Sequence, residues 1–275
     1  MPEKGDMNSY RKNIIVLLLV SLCAAAAMVF VQPIPQASFY HAFVDTRTML
    51  GIPNTFNVLS NLPFVLVGCT GLVLIAKRLV NQTAAPVDPL YLVFFSGVFL
   101  TGLGSGYYHI EPNNTTLVWD RLPMTIAFMG LFTAVIAERI SLKAGRLLLF
   151  PLLAFGVFSI WYWHWTEIQN LGDLRLYALV QFLPMILIPL MLWLFPPRYT
   201  RGYDFMITIG WYGLSKASEA LDGPIFSAGN IMSGHSLKHI FAAIGTYWIL
   251  RMILKRTALP GNSIQAESVI SNNNT

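Results

Sequence analysis

The sequence predicts an all-α, polytopic membrane protein: a seven-helix transmembrane core preceded by one extra N-terminal helix or signal-anchor. Three observations predict it. Of 275 residues, 55% are hydrophobic and only 11% are charged, against roughly 25% charged in soluble domains. The apolar residues gather into runs long enough to cross a hydrocarbon core of about 30 Å, which takes about 20 residues of helix. The basic residues fall in alternate connections between those runs, as they do in cytoplasmic loops.

The runs are 13–32, 57–76, 89–108, 116–137, 145–163, 174–195, 203–223 and 235–254. The first follows Arg11 and Lys12, and its basic start, apolar centre and small residues are also those of a signal peptide. Its apolar stretch exceeds a usual signal core, which favours a retained helix. Lys77 and Arg78 close the second run, and Arg139, Lys143 and Arg146 follow the fourth. Pro184 and Pro189 inside the sixth are tolerated where neighbouring helices satisfy the freed carbonyls. Arg198 and Arg201 follow it, and Arg251, Lys255 and Arg256 end the last. With Lys4, Arg11 and Lys12 these make thirteen of the eighteen basic residues on one side of eight alternating spans. That side is read as cytoplasmic, with both termini on it if the first helix is retained. The organisation is therefore 1–32 as N-terminus and first helix, 54–256 as the core, and 257–275 as a polar, disordered tail. No internal repeat, low-complexity tract or soluble domain interrupts it.

Cys23 and Cys69 both lie in apolar runs, so no disulfide framework is expected. The net charge of +5 belongs to the loops of a membrane protein and gives no reason to expect nucleic acid. Composition says nothing of the oligomeric state.

In this topology His41, His109, His164, His235 and His239 all fall at the non-cytoplasmic ends of helices or in the loops there. The opposite half carries almost no ionisable groups between helix ends, which argues against an ion or metal transporter. His41, His164, Glu167 and Asp173 read as groups facing water at loop ends. Ser105 and His109 are four apart and share a helix face. Ser105 then lies about 6 Å deeper, at 1.5 Å per residue. Asp120 re-enters about one turn into the next run, at similar depth. His235 and His239 form an H-x-x-x-H pair, whose spacing lets two imidazoles reach one metal. A third protein ligand would leave one tetrahedral position open, as in a catalytic zinc site. Spacing alone leaves this reading level with plain interhelical hydrogen bonding by the histidines.

The segments "NTFNVLSNLPF" (54–64), "GLGSGYYH" (102–109), "WDRLPM" (119–124) and "HSLKHIFAAIGTY" (235–247) carry a resemblance. The chain resembles the alkaline ceramidase family, within a superfamily of seven-helix membrane hydrolases that includes the progestin and adipoQ receptors. The order is the family's: an Asn/Ser-bearing first core helix, here with Asn57 and Ser60, then S-x-x-x-H, an Asp eleven residues on, and a C-terminal H-x-x-x-H. The resemblance implies one zinc ion on His109, His235 and His239, with Asp120 as proton acceptor and donor. It implies Ser105 as a group that orients water or stabilises an oxyanion. The implied substrate is a ceramide-like membrane lipid, cut to fatty acid and sphingoid base on the non-cytoplasmic side. Asn57, Ser60, Asp222 and Lys238 are the implied substrate-binding candidates.

Two departures qualify the resemblance. Calcium-dependent members carry an acidic cluster before the first core helix, and here Asp45 is the sole acid of "FYHAFVDTRTMLGIPNTFN", which argues against calcium. Lys238 stands within the histidine pair, where it can snorkel to headgroups or meet an anionic group of the substrate. Lys216 and Glu219, three apart, read as an ion pair. Asp222 reads either as a helix-end acid or as a contact to a substrate hydroxyl or amine. Trp161, Trp163 and Trp165 read as an interfacial belt, and Asn113 and Asn114 begin glycosylation sequons. A zinc lipid esterase and a receptor-like protein with structural zinc are the competing functions, both behind the amide hydrolase.

Overall fold

A computed structural model of the chain describes residues 4–260, so the expected tail lies outside the described residues beyond Pro260. The helices are α1 (Lys4–Phe30), α2 (Thr55–Leu59), α3 (Leu62–Val80), α4 (Asp88–Ile110), α5 (Asn114–Arg139), α6 (Leu142–Ile168), α7 (Arg175–Leu194), α8 (Asp204–Ala220), α9 (Asp222–Gly229) and α10 (Gly234–Lys255). Among the described residues there is no strand, only the isolated bridges Met49–Ile52 and Tyr199–Ala258. Seven helical stretches, the N-terminal one included, are long and apolar enough to cross a membrane. The chain is an all-α polytopic membrane protein.

Two runs differ from their expected form. The first core run is a short α2 and a long α3, joined through Ser60 and Asn61. Pro63 near the start of α3 cannot donate to the carbonyl of Leu59, which breaks the ladder there. The run expected over 203–223 ends at Ala220, and α9 follows after a turn at Leu221. Its 17 residues are at the short end of the range of about 17–25 that spans a bilayer.

Lipid is as apolar as leucine, so helix association here relies on close packing rather than on hydrophobic burial. The α4–α5 seam shows how. A Cβ on Gly104 would collide with the carbonyl oxygen of Trp119, and one on Gly130 would lie 2.8 Å from the Phe94 nitrogen. The glycines let the two backbones touch, which brings Ser105 beside Asp120. Gly234 does the same for α10, since its Cβ would meet the carbonyl oxygen of Ser218 at the end of α8. At the N-terminus, α1 leans on α7. Asn13 Nδ2 donates to the Leu194 carbonyl at 2.7 Å, and Tyr10 packs edge-on to Phe195 with centroids 5.6 Å apart.

At the arginine-rich end of the bundle the ionisable groups stand at helix ends, as expected, but several are sealed from water. Asp88, Glu138 and Arg139 are buried there. Arg256 ion-pairs with Glu138, which also accepts from Tyr91 at 2.7 Å, and Arg78 lies 3.5 Å from Asp88. Each acid sits at or near a helix end in sequence, but packing seals it between α3, α4, α5 and α10. Two expectations at the opposite end also change. Trp163 is fully buried while Trp161 and Trp165 are exposed, so only the latter two can form an interfacial belt. The pair at i and i+4 shares a helix face and Trp163 does not.

Three of the four groups read as water-facing, His41, Glu167 and Asp173, are partnered instead. His41 bonds through its two ring nitrogens to Tyr108 Oη and Asn114 Oδ1, both at 2.9 Å. Glu167 accepts from the Gln36 amide at 2.6 Å and from Trp163 Nε1 at 3.1 Å. Asp173 is buried against Arg175 and Tyr162. The His164 Nδ1 is buried without a hydrogen-bond partner among the described residues. The contacts of His41 and Glu167 tie the 31–41 segment to the core.

Candidate metal centre and cavity

The histidines of the sequence motifs meet. His109 comes from the last turn of α4, and His235 and His239 from the first two turns of α10. All three are buried, and one ring nitrogen from each lies within 4.8 Å of the others. His109 Nε2 and His239 Nε2 are 3.2 Å apart. Two nitrogens at about 2.05 Å from one tetrahedral ion stand about 3.3 Å apart, so the spacing fits a shared metal. His235 Nε2 and His109 Nδ1 are buried and have no hydrogen-bond partner among the described residues. A buried polar atom without a partner is costly, and a cation would satisfy the one facing the cluster. Three imidazoles, with no thiolate or fourth protein ligand grouped with them among the described residues, form a donor set that suits zinc with one open position.

Local chemistry sets these side chains in place. Ser233 caps α10 by accepting from the Ser236 amide at 3.2 Å, and Asp222 accepts from the His235 amide at 2.7 Å. Such capping satisfies first-turn donors that have no helical partner. Ser236 Oγ donates to Asn57 Oδ1 at 2.7 Å, while Asn57 Nδ2 donates to the Asp45 carbonyl at 3.1 Å. Ser60 Oγ lies 2.8 Å from His239 Nδ1, at the break between α2 and α3. On α5, Asn113 forms a capping box with Thr116, so the sequon side chain is engaged in starting the helix that carries Asp120.

Ser105 and Asp120 are both buried on the facing helices α4 and α5. Both line a cavity of about 320 Å³, together with His239 and Lys238. A second, apolar cavity of about 100 Å³ shares Phe64, Thr101, Met124, Tyr212 and Ala242 with the first. Asn57, Ser60 and Asp222 do not line either cavity; each binds protein groups around the histidines. Lys216 pairs with Glu219 at 2.8 Å as its spacing suggests, but Lys238 shares the same carboxylate at 3.0 Å.

The segment 43–47 was not legible as part of a site. Phe43 packs its ring against His109 and His235, with centroids 4.7 and 4.5 Å away. The Val44 amide donates to Asp222 Oδ2 at 3.3 Å. Arg47 holds the segment down by donating to the Asn230 and Ile231 carbonyls at 3.0 and 2.8 Å. Its guanidinium also bonds Asp45 and keeps that carboxyl below the ordinary carboxylate range. No motif pointed to Phe43, because its role depends only on contacts across the fold.

A family model described as Ceramidase matches residues 48–201. That segment holds Asn57, Ser60, Ser105, His109 and Asp120, and the fold adds His235 and His239 from beyond it. No curated protein matches the sequence. The matched segment covers more than half of the 275 residues, and the chain belongs to the ceramidase family.

Proposed function

We propose that the protein is a zinc-dependent amide hydrolase that cleaves ceramide-like membrane lipids into a fatty acid and a sphingoid base. The observation that carries this reading is the convergence of His109, His235 and His239 beside a cavity lined by Ser105 and Asp120. When bound, zinc supplies a Lewis acid that activates water and polarises an amide carbonyl.

The chain's own residues do the rest. Asp120 accepts a proton from the attacking water as its oxygen bonds to the carbonyl carbon. It returns that proton to the nitrogen as the C–N bond breaks, so the products are a carboxylic acid and an amine. Ser105 orients the water or donates to the carbonyl oxygen as charge develops there. Phe43 covers the histidines and limits access of bulk water. Ser60, Asn57 and Asp222 are positioning residues in this reading, since they hold His239, Ser236 and His235 rather than the cavity. The apolar second cavity receives part of a lipid chain.

Residues 54–256 act as the catalytic core, and α1 remains packed on α7. The site faces the non-cytoplasmic side, because the arginine-rich end of the bundle follows the positive-inside rule. Fatty-acid release from ceramide by the detergent-purified protein tests the reading. Release that stops with chelator and returns with zinc supports it. Release from lipid esters alone, with ceramide untouched, would replace the amidase with an esterase.

A further inference from the structure

The cavity beside the histidines is cationic, and amide cleavage by itself gives those charges no task. Lys216 of α8, Lys238 of α10 and Arg121 of α5 line it, and Asp120 is the carboxylate among the lining residues. Glu219 lies outside the lining and binds both ammonium groups, Lys216 at 2.8 Å and Lys238 at 3.0 Å. An ammonium has three donors, and Glu219 takes one bond from each lysine. Arg121 is only 5% exposed and has no carboxylate within ion-pair distance among the described residues. Its guanidinium lies over the rings of Trp163, Tyr177 and Tyr40, 4.5, 5.0 and 5.4 Å from their centroids. Arg121 Nη2 donates to Gln36 Oε1 at 2.6 Å, and Nη1 is buried without a hydrogen-bond partner among the described residues.

Charged groups in a membrane interior are costly and mark a site for what they bind. The hydroxyls of a neutral ceramide headgroup do not balance three cations whose neighbouring carboxylates are two, Asp120 in the lining and Glu219 behind the lysines. A tetrahedral oxyanion does, because it accepts several charge-assisted hydrogen bonds at once. In a sphingoid lipid the headgroup carbon is next to the carbon bearing the amide. An anion-binding cluster for the headgroup must therefore share one cavity with the groups that act on the amide, as Lys216, Lys238 and Arg121 do with Ser105, Asp120 and His239. We propose that this cluster binds an anionic headgroup, phosphate or sulfonate, so that the preferred substrate is an anionic N-acyl sphingoid lipid rather than neutral ceramide. The cleavage of that lipid rests on the hydrolase reading; its binding does not.

The experiment compares a short-chain ceramide with the same ceramide carrying a 1-phosphate. Turnover is measured on zinc-loaded protein in detergent, and equilibrium binding on Asp120→Asn protein by calorimetry. The expected result is a kcat/KM about tenfold higher for the phosphate, and tighter binding of it. Lys216→Met should lower the phosphate-to-neutral ratio about tenfold, and Lys216→Arg should retain it. If Lys216→Met does not fold, the wild-type comparison decides alone. Equal or better turnover and binding of neutral ceramide would overturn the anion site and leave the hydrolase reading intact. Tighter binding of the phosphate with neither lipid cleaved would uphold the anion site and remove the hydrolase reading. Inorganic phosphate that binds as tightly as the lipid would overturn the assignment to a headgroup.

Discussion

The Ser60 hydroxyl lies 2.8 Å from Nδ1 of His239, the ring nitrogen turned away from the histidine cluster. It also bonds the Asn57 carbonyl at 3.0 Å, so the break between α2 and α3 serves to orient an imidazole on α10. Groups that fix the outer nitrogen of a metal-binding histidine set its tautomer and basicity. Ser60→Ala should therefore weaken zinc affinity by about 10–100-fold with little change in fold. Competition with a fluorescent chelator measures it, and unchanged affinity would mean that Ser60 has no positioning role.

The contact of Gly104 with the Trp119 carbonyl makes the α4–α5 seam intolerant of any side chain. Gly104→Val should destabilise the protein by about 1–3 kcal/mol or more, because the backbones must part. The thermal transition in detergent should fall, and Gly106→Ala, with open space at its Cβ, should leave it in place.

Glu138 and Arg256 form a buried ion pair at the far end of the bundle from the histidines. Removing one partner of such a pair costs about 3–5 kcal/mol, since it strands the other charge. Glu138→Ala should lower the melting temperature more than Glu138→Gln, and zinc stoichiometry of the folded fraction should not change.

Acid should loosen the segment over the histidines. Hydrogen bonds from Arg47 hold the Asp45 carboxyl below its ordinary value of 3.8. A carboxyl lowered in the folded state contributes stability above its unfolded value, and that contribution fades as pH falls through the folded one. Protection of the 43–47 amides from hydrogen exchange should be constant above about pH 4 and fall below it. Arg47→Met should abolish that dependence.

The histidine cluster was legible because helical spacing carries it. Ser105 with His109, and His235 with His239, announce shared faces at i and i+4, and alternation of the basic loops fixes which ends meet. Phe43, Arg121 and the Glu219 bridge to Lys238 were not legible, because each depends on a contact between elements distant in sequence. Asn57 and Ser60 were legible as neighbours of the site, and the fold sets them against Ser236 and His239 rather than in the cavity lining. Their motif marks them as part of the site, and only the fold distinguishes holding a histidine from touching a substrate. The Trp161–Trp165 stretch shows the opposite error, in which composition suggested one belt and helical geometry sent Trp163 inward.

The central claim is that three histidines hold zinc for a reaction that Asp120 carries out. Zinc stoichiometry and ceramide turnover, measured side by side on wild type, His239→Ala and Asp120→Asn, test it most directly. One zinc per wild-type chain is expected, with loss of zinc and turnover in His239→Ala. Asp120→Asn should retain zinc and lose about 10²–10⁴-fold in turnover. Full zinc occupancy in His239→Ala, or undiminished turnover in Asp120→Asn, would contradict the account.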